Sequence, residues 1–220
     1  MIKGSLLCLT VVSLLTGCGS DKDEILPAEY EVSISNISNF QPLSPVGIIF
    51  SSGENFFDIG TSASLDLEKL AEGGDNSGLL ALGKTSASMQ GPLLPGETAV
   101  LNIRKDFGDF KFSAFSMLVN TNDGFTGVNA YDLGDLSVGE TVVLNTNAYD
   151  AGTEDNSEAV GTIPGPADGG EGFNVLRDDV NVVRMHSGVV TKDDGLSSSV
   201  LSEQAKFDNT VMRLSIKRTK

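Results

Sequence analysis

The chain of 220 residues contains no tryptophan, a single histidine and only two cysteines. Zinc sites are usually built from several histidine or cysteine ligands, so this composition argues against a zinc centre. The histidine, His186, has no G-x-S-x-G serine elbow to work with, and no Walker or Rossmann glycine pattern occurs. The absences therefore disfavour zinc enzymes, Ser-His-Asp hydrolases and nucleotide-binding folds, and His186 is better explained as a structural residue.

Basic residues are scarce as well. The chain has 15 Lys and Arg against 30 Asp and Glu, which gives a formal net charge of -15. Such a chain repels nucleic-acid phosphates and anionic lipid surfaces, so we expect no nucleic-acid partner. Surplus carboxylates either bind hard cations through oxygen or simply keep an extracellular surface hydrated. Charge alone leaves both interpretations open.

The N-terminus carries an apolar run, Leu6 to Leu15, behind the short basic start Met1-Ile2-Lys3. The run is too short to cross a bilayer as a helix, but it has the length of a signal-peptide hydrophobic region. It ends in Leu15-Thr16-Gly17-Cys18, which resembles the lipobox of bacterial lipoproteins. The sequence therefore predicts a lipoprotein signal peptide over 1–17 and lipid on Cys18. The alternative is an ordinary signal peptide followed by a chance cysteine.

Cleavage before Cys18 would remove Cys8, the other cysteine, and leave no disulfide partner. More than one acyl chain on a single residue gives lasting anchorage to a membrane. Residues 18–28 then form a lipidated, charged tether. Gly19 rather than Asp follows the cysteine, and by similarity to the sorting rule of enteric bacteria this favours the outer membrane, facing either the periplasm or the cell surface.

Residues 29–220 have the pattern of one β-rich domain. Apolar and polar residues alternate in Tyr30–Ser35 and again in Thr210–Lys217, as in half-buried strands. Ser64 as an N-cap and Gly73-Gly74 as a stop predict a short helix, and a second helical turn is expected over 78–82. Further strands are predicted over 46–50, 98–103, 110–119, 141–145 and 180–185. The fold class predicted is all-β, an antiparallel β-sandwich with one or two short inserted helices.

Two acid-bearing loops follow predicted strands, at 121–127 and at 149–155. Calcium takes six to eight oxygen ligands, and loops at one end of a sandwich can supply them together. Asp150 and Glu154 are four residues apart around Gly152, so a tight turn could aim both inward. Neither loop fits the EF-hand pattern. Spacing alone favours solvated turn residues over a calcium site.

Four stretches, 30–45, 91–97, 116–127 and 147–154, resemble the spondin N-terminal domain family in the form found in bacterial lipoproteins. The resemblance implies a C2-like antiparallel β-sandwich with calcium at one loop end. It places the calcium-ligating acids at Asp123, Asp150 and Glu154, the last being aspartate in animal members. The cysteines that pin the animal domains have no counterparts here.

The function predicted is therefore a non-enzymatic, calcium-binding envelope domain for adhesion or surface interaction. Its partner would be a glycan, a matrix component or another envelope protein, and the membrane is reached through the lipid on Cys18. One alternative is a glycan-active hydrolase with paired carboxylates, which requires a deep cleft and a raised carboxyl pKa. A second alternative is a structural lipoprotein without a ligand.

Overall fold

The computed structural model of the protein describes residues 27–106, 108 and 110–220. The predicted signal peptide, Cys18 and most of the tether lie outside these residues. The first strand begins at Ala28, so it overlaps the predicted tether by one residue. No helix in the described part of the chain has the length and apolar character needed to cross a bilayer.

In the described part of the chain, ten strands form two antiparallel sheets. In chain order the elements are β1 (Ala28–Asn36), β2 (Gly47–Ser51), α1 (Leu65–Gly73), α2 (Ser77–Leu80), β3 (Thr85–Ser88), β4 (Thr98–Lys105), β5 (Lys111–Met117), β6 (Gly124–Tyr131), β7 (Thr141–Thr146), β8 (Ala148–Asp150), β9 (Arg184–Met185) and β10 (Met212–Arg218). The four-stranded sheet has the order β4-β1-β10-β7, and the six-stranded sheet has the order β3-β2-β5-β6-β8-β9. This all-β sandwich with two short helices confirms the predicted fold class.

The main core lies between the two sheets. Alternate residues of β1 and β10 point into it, and Val32 pairs with Ile216 while Ile34 pairs with Leu214. Each such side chain, fully buried, stabilises the fold by roughly 1.5–3 kcal/mol. The ring of Tyr30 on β1 lies 5.3 Å from that of Phe50 on β2, so aromatic contacts also join the sheets. The alternation visible in the sequence is thus explained by a sheet that is covered on one face.

Strand β5 is buried on both faces, because the second sheet carries the helices on its outer side. Phe112 and Ala114 face the main core, whereas Phe115 packs in a second cluster with Leu67 and Leu70 of α1. A strand covered twice has no polar face, so its sequence does not alternate along its whole length. Helix α1 therefore extends the core of the sandwich.

The ends of α1 follow the predicted signals. The Ser64 hydroxyl accepts a hydrogen bond from the Leu67 amide (3.2 Å). Gly74 has φ +69°, and its amide donates to the Leu70 carbonyl. Glycine adopts this left-handed backbone conformation at little energetic cost, because it has no Cβ. The helix therefore begins and ends where the sequence indicates.

Four parts of the strand pattern differ from the prediction. Strands β3 and β8 were not predicted, and β8 takes in the first residues of the predicted loop at 149–155. The predicted loop at 121–127 continues into β6, which starts at Gly124 and lies in the middle of the second sheet. Glycine is needed there, since a Cβ at Gly127 would lie 2.5 Å from the Ala114 carbonyl oxygen. The predicted strand 180–185 is reduced to Arg184–Met185. Apolar alternation failed to identify β6 because both of its glycines leave gaps in the pattern.

Replacing Leu70 with alanine tests the second core. Leu70 is fully buried against β5, so Leu70→Ala should lower the free energy of unfolding by about 2–5 kcal/mol. Leu65→Ala on the same helix is the matched control, because Leu65 is 54% exposed and should cost less than about 0.5 kcal/mol. Urea unfolding followed by circular dichroism measures both. Equal effects of the two substitutions would contradict the packing described for α1.

Candidate metal centre

The second sheet brings the two acid-bearing segments together at one end of the sandwich. Gly124 at the start of β6 pairs with Asp150 at the end of β8. The Ala151 amide donates to the Asp123 carbonyl (3.2 Å), which keeps the two chain segments side by side beyond the strands. Asp123, Asp150 and Glu154 therefore lie around the junction of β6 and β8.

Asp123 is completely buried, with 0% of its surface exposed. Its Oδ2 accepts hydrogen bonds from the Thr153 amide (2.8 Å), the Thr153 hydroxyl (3.3 Å) and the Glu154 amide (3.2 Å). Its Oδ1 is also buried and has no hydrogen-bond partner among the described residues. A buried carboxylate oxygen without a partner is costly, so this atom is available to a ligand.

Glu154 is half-buried next to Asp123. Its Oε1 accepts a hydrogen bond from the Asn122 side chain (3.2 Å). The same amide group also donates to the Thr162 hydroxyl (2.9 Å), and its oxygen accepts from the Glu158 amide (3.3 Å). Asn122 therefore ties three parts of the 153–162 segment to the loop that carries Asp123.

Both carboxyls hold their protons unusually tightly. Burial, reinforced by the charge of Asp150, raises the pKa of Asp123 to about 7. Burial also raises the pKa of Glu154 to about 8, and the neighbouring acids Glu72, Asp123 and Asp178 add to the effect. Both shifts arise mainly because burial disfavours the charged form, and the neighbouring acids add to the effect. A bound cation would favour the charged forms instead.

Asp150 has a different environment from the other two acids. Its Oδ1 accepts from the Gly152 amide (2.8 Å). Its Oδ2 accepts from the Asn156 side chain (2.6 Å) and from Nε and Nη2 of Arg184 (3.1 and 3.0 Å). Arg184 also pairs with Asp179. Both oxygens of Asp150 are therefore occupied within the protein, and the residue shapes the loop around Gly152.

Glu72, at the end of α1, belongs to the same acidic region but was missed in the sequence. It is buried, and its Oε2 accepts from the Asn174 amide (2.8 Å). Burial raises its pKa, although hydrogen bonds from Asn174 and Thr153 lower it. Glu68, one turn earlier, is buried in an ion pair with Arg177 (2.5 Å). The only signal in the sequence was the position of Glu68 and Glu72 beside the apolar face of α1. Acids at such positions look like ordinary solvent-facing residues.

His186 lies against the same junction. A Cβ at Gly124 would be 3.1 Å from its Cδ2, and its ring packs edge-on against Phe207 with centroids 5.2 Å apart. Its Nδ1 accepts from the Gly188 amide (3.0 Å). Burial lowers the pKa of His186 to about 4, so the ring is neutral at physiological pH. The residue fixes the start of the 187–189 turn.

Within the described residues, no three His, Cys, Asp or Glu side chains lie close enough together to hold a metal by themselves. A cation here would need Asp123 and Glu154 together with neutral oxygens. Calcium accepts amide and backbone carbonyl oxygens as readily as carboxylates, whereas zinc favours nitrogen and sulfur. The donor set therefore fits a hard cation.

No model of a known protein family matches this chain, and no curated protein matches it. The resemblance to the spondin N-terminal family therefore stays a prediction.

The raised carboxyl pKa values predict that stability falls from acidic towards neutral pH when metal is chelated. Asp123 and Glu154 bind protons more tightly in the folded state than their ordinary pKa values of 3.8 and 4.5 allow in the unfolded state. Between about pH 4 and these folded-state pKa values the folded state therefore holds more protons, and the free energy of unfolding falls as pH rises, by at most about 1.4 kcal/mol per pH unit for each group. Chelated protein should still be losing thermal stability between about pH 6.5 and 8, and the loss should level off above about pH 8, where both groups are ionised in both states.

The variants Asp123→Asn and Glu154→Gln should each flatten this pH dependence, while Glu31→Gln on the exposed side of β1 should leave it unchanged. Glu158, whose pKa burial raises to about 7, accounts for a remaining slope. His186 acts in the opposite direction but only below about pH 6.5, outside this range. The assignment is wrong if Asp123→Asn and Glu31→Gln give the same slope.

Proposed function

We propose that this protein is a non-enzymatic, calcium-binding lipoprotein domain of the bacterial envelope, of the spondin N-terminal type. The observation that carries the proposal is the buried, unpartnered Oδ1 of Asp123 beside the half-buried carboxyl of Glu154. Calcium would supply the positive charge that these two acids lack. The domain would act as an adhesion or surface-interaction module.

In this proposal the three acids have unequal roles. Asp123 and Glu154 hold the ion, because each has an oxygen that accepts no hydrogen bond from a described residue. Asp150 instead orders the 150–154 turn, since Gly152, Asn156 and Arg184 already occupy its carboxylate. Calcium would then cross-link the loop before β6 to the loop after β8. Joining the two loops stabilises the folded state in proportion to the occupancy of the site.

The alternative of a glycan hydrolase has one point in its favour, the raised pKa of Glu154, which would suit a general acid. Asp123, however, is fully buried, and neither acid lines the cavities of about 640 and 480 Å³ beside these loops. The larger cavity contains Asp194, but hydrogen bonds from Lys206 and Thr191 lower the pKa of that residue to about 2. A binding role is therefore favoured over hydrolysis.

Anchorage through Cys18 is the second part of the proposal. The lipobox-like Leu15-Thr16-Gly17-Cys18 supports it. The net charge of -15 gives the domain no electrostatic attraction to anionic lipid, so attachment to a membrane would require such an anchor. A lipid on Cys18 would hold the sandwich at the outer membrane despite this charge. The envelope also exposes the domain to extracellular calcium.

Thermal unfolding of the chain from Gly19 onward tests calcium binding. At one hundred times the dissociation constant, calcium adds about 2.7 kcal/mol, which corresponds to a rise in Tm of roughly 5–10 °C for a domain of this size. Asp123→Asn should abolish the shift and Glu154→Gln should reduce it, whereas Glu31→Gln should retain it in full. Equal midpoints with calcium and with chelator in the unmodified protein would refute the calcium site and favour a structural lipoprotein.

Expression of the whole chain in a bacterial host tests the anchor. The unmodified protein should be recovered with the membrane fraction, with the mass of an acylated N-terminal cysteine. Cys18→Ser should be recovered in the soluble fraction, and Cys8→Ser is the control, because its cysteine lies in the segment that is removed. Membrane association that survives Cys18→Ser would rule out lipid on this residue as the anchor.

A further inference from the structure

A groove of about 640 Å³ lies next to the candidate metal centre, at the same end of the sandwich. Its walls come from residues 37–39, just beyond β1, from the 187–189 turn and from residues 206–210 leading into β10, with Asp194 on its edge. We call it the polar groove. None of the acids proposed to act on calcium lines it, so its chemistry can be considered separately.

The polar groove contains several hydrogen-bonding groups that the protein itself does not use. The hydroxyls of Ser187 and Thr210, the carboxylate of Asp208 and the side-chain NH₂ of Asn209 line it, and none of them makes a hydrogen bond with a described residue. They include donors, acceptors and hydroxyls that can be either. A ligand in the groove would therefore meet residues that carry four polar groups without a hydrogen-bond partner among the described residues.

Apolar surface lies between these polar groups. The ring of Phe207 is half-buried, Val189 is nearly buried, and Ile37 is 38% exposed at the rim. Phe207 is held in place by the ring of His186. A site with an aromatic and aliphatic surface flanked by hydroxyl, amide and carboxylate groups suits a ligand that has both C–H faces and hydroxyl edges.

The charges around the polar groove disfavour an anionic ligand. Its one lysine, Lys206, is paired with Asp194 at 2.5 Å, which leaves the carboxylate of Asp208 unbalanced. The net charge of the chain, -15, repels anions further. A phosphate, a sulfated polysaccharide or a nucleic acid would therefore find no unpaired cation in this groove.

The walls of the groove are fixed before any ligand arrives. The Asn209 side-chain oxygen accepts from the Ala148 amide (2.7 Å), and the Gly188 amide donates to Nδ1 of His186 (3.0 Å). The first contact joins residues 206–210 to β8, and the second lies within the 186–188 turn, which is joined to β8 by the His186 amide donating to the Ala148 carbonyl (3.1 Å). Preformed walls reduce the entropy lost when a ligand binds.

We propose that the polar groove binds a neutral oligosaccharide, such as a segment of a surface glycan. Sugars present hydroxyls along their edges and C–H groups on their faces, and the groove offers unused hydroxyl, amide and carboxylate groups beside Phe207. This inference names a partner for the surface-interaction domain and rests on that proposed function only in treating the domain as a binding module. Calcium does not contact the sugar in this arrangement.

Biolayer interferometry with immobilised oligosaccharides tests the proposal, with the full chain kept in detergent as the analyte. The probes are the neutral hexasaccharides of cellulose, maltose and chitin types, with a hyaluronan hexasaccharide as the anionic comparison. At least one neutral probe should bind, and hyaluronan should not. Thr210→Val and Ser187→Ala should each weaken that binding roughly five- to tenfold, the effect expected for one lost hydrogen bond.

Thr141→Val is the matched control, because Thr141 is an exposed threonine at the start of β7 and lies outside the groove. It should bind the probe as the unmodified protein does. The proposal is overturned if no neutral probe binds at millimolar concentration, if hyaluronan binds more tightly, or if Thr141→Val weakens binding as much as Thr210→Val.

The calcium-dependent Tm shift, measured on the same proteins, keeps the two proposals apart. Thr210→Val and Ser187→Ala should retain the shift in full, which also shows that these variants fold. If the unmodified protein shows the shift but binds no neutral probe, the groove assignment fails and the calcium site stands. If it binds a neutral probe without any shift, the groove assignment stands and the calcium site fails.

Discussion

The carboxylate of Asp123 is buried at the point where β6 and β8 meet, and it organises the chain beyond both strands. One of its oxygens accepts hydrogen bonds from the amides of Thr153 and Glu154, so this side chain helps to hold the turn after β8 against the start of β6. Burying a carboxylate in this way is unfavourable unless charge or hydrogen bonds compensate it. The other oxygen lacks that compensation. The same group therefore connects the two loops and carries the unpartnered oxygen on which the proposed calcium site rests.

The long segment between β8 and β10 shows why such polar contacts matter. It contains only β9 and two short 3-10 helices, and its hydrophobic cluster is small, formed around Ile163, Val189 and Leu201. Much of its attachment comes from polar side chains instead. Arg177 reaches Glu68 and the Asn174 amide reaches Glu72, so this segment is fastened to α1 by two buried acids. The strength of these contacts depends on the charges of Glu68 and Glu72 and of the acids near them.

The sequence predicted the parts of this protein that depend on local or periodic signals. The alternation in β1 and β10, the Ser64 cap and the Gly74 stop all reflect contacts within a few residues or one covered sheet face, and the structure confirms them. Strand β6 was missed because its glycines are explained only by close neighbours such as the Ala114 carbonyl. Tertiary packing, which no periodicity encodes, decides that position.

The site shows the same division. Spacing and resemblance identified Asp123, Asp150 and Glu154, and the fold does bring their segments together. The sequence could not show that Arg184 pairs with the Asp150 carboxylate. The two residues are thirty-four positions apart, and an ion pair between residues distant in sequence leaves no local pattern. Glu72 was invisible for the same reason, since an acid on a helix normally faces solvent. The unequal roles of the three acids thus depend on long-range partners.

The polar residues at this end of the sandwich form two groups with different roles. Those around Asp123 are buried and largely committed to one another, so they determine how the loops are held and have little to offer a large ligand. Those of the polar groove are accessible and uncommitted, while the walls that carry them are held by His186 and by the Asn209–Ala148 contact. A buried charge cluster can take up only a small ion, whereas a fixed, open set of free hydrogen-bonding groups can recognise a larger molecule. His186 packs against Gly124 on one side and Phe207 on the other, so any ordering of the β6 start by a cation would also steady the floor of the groove.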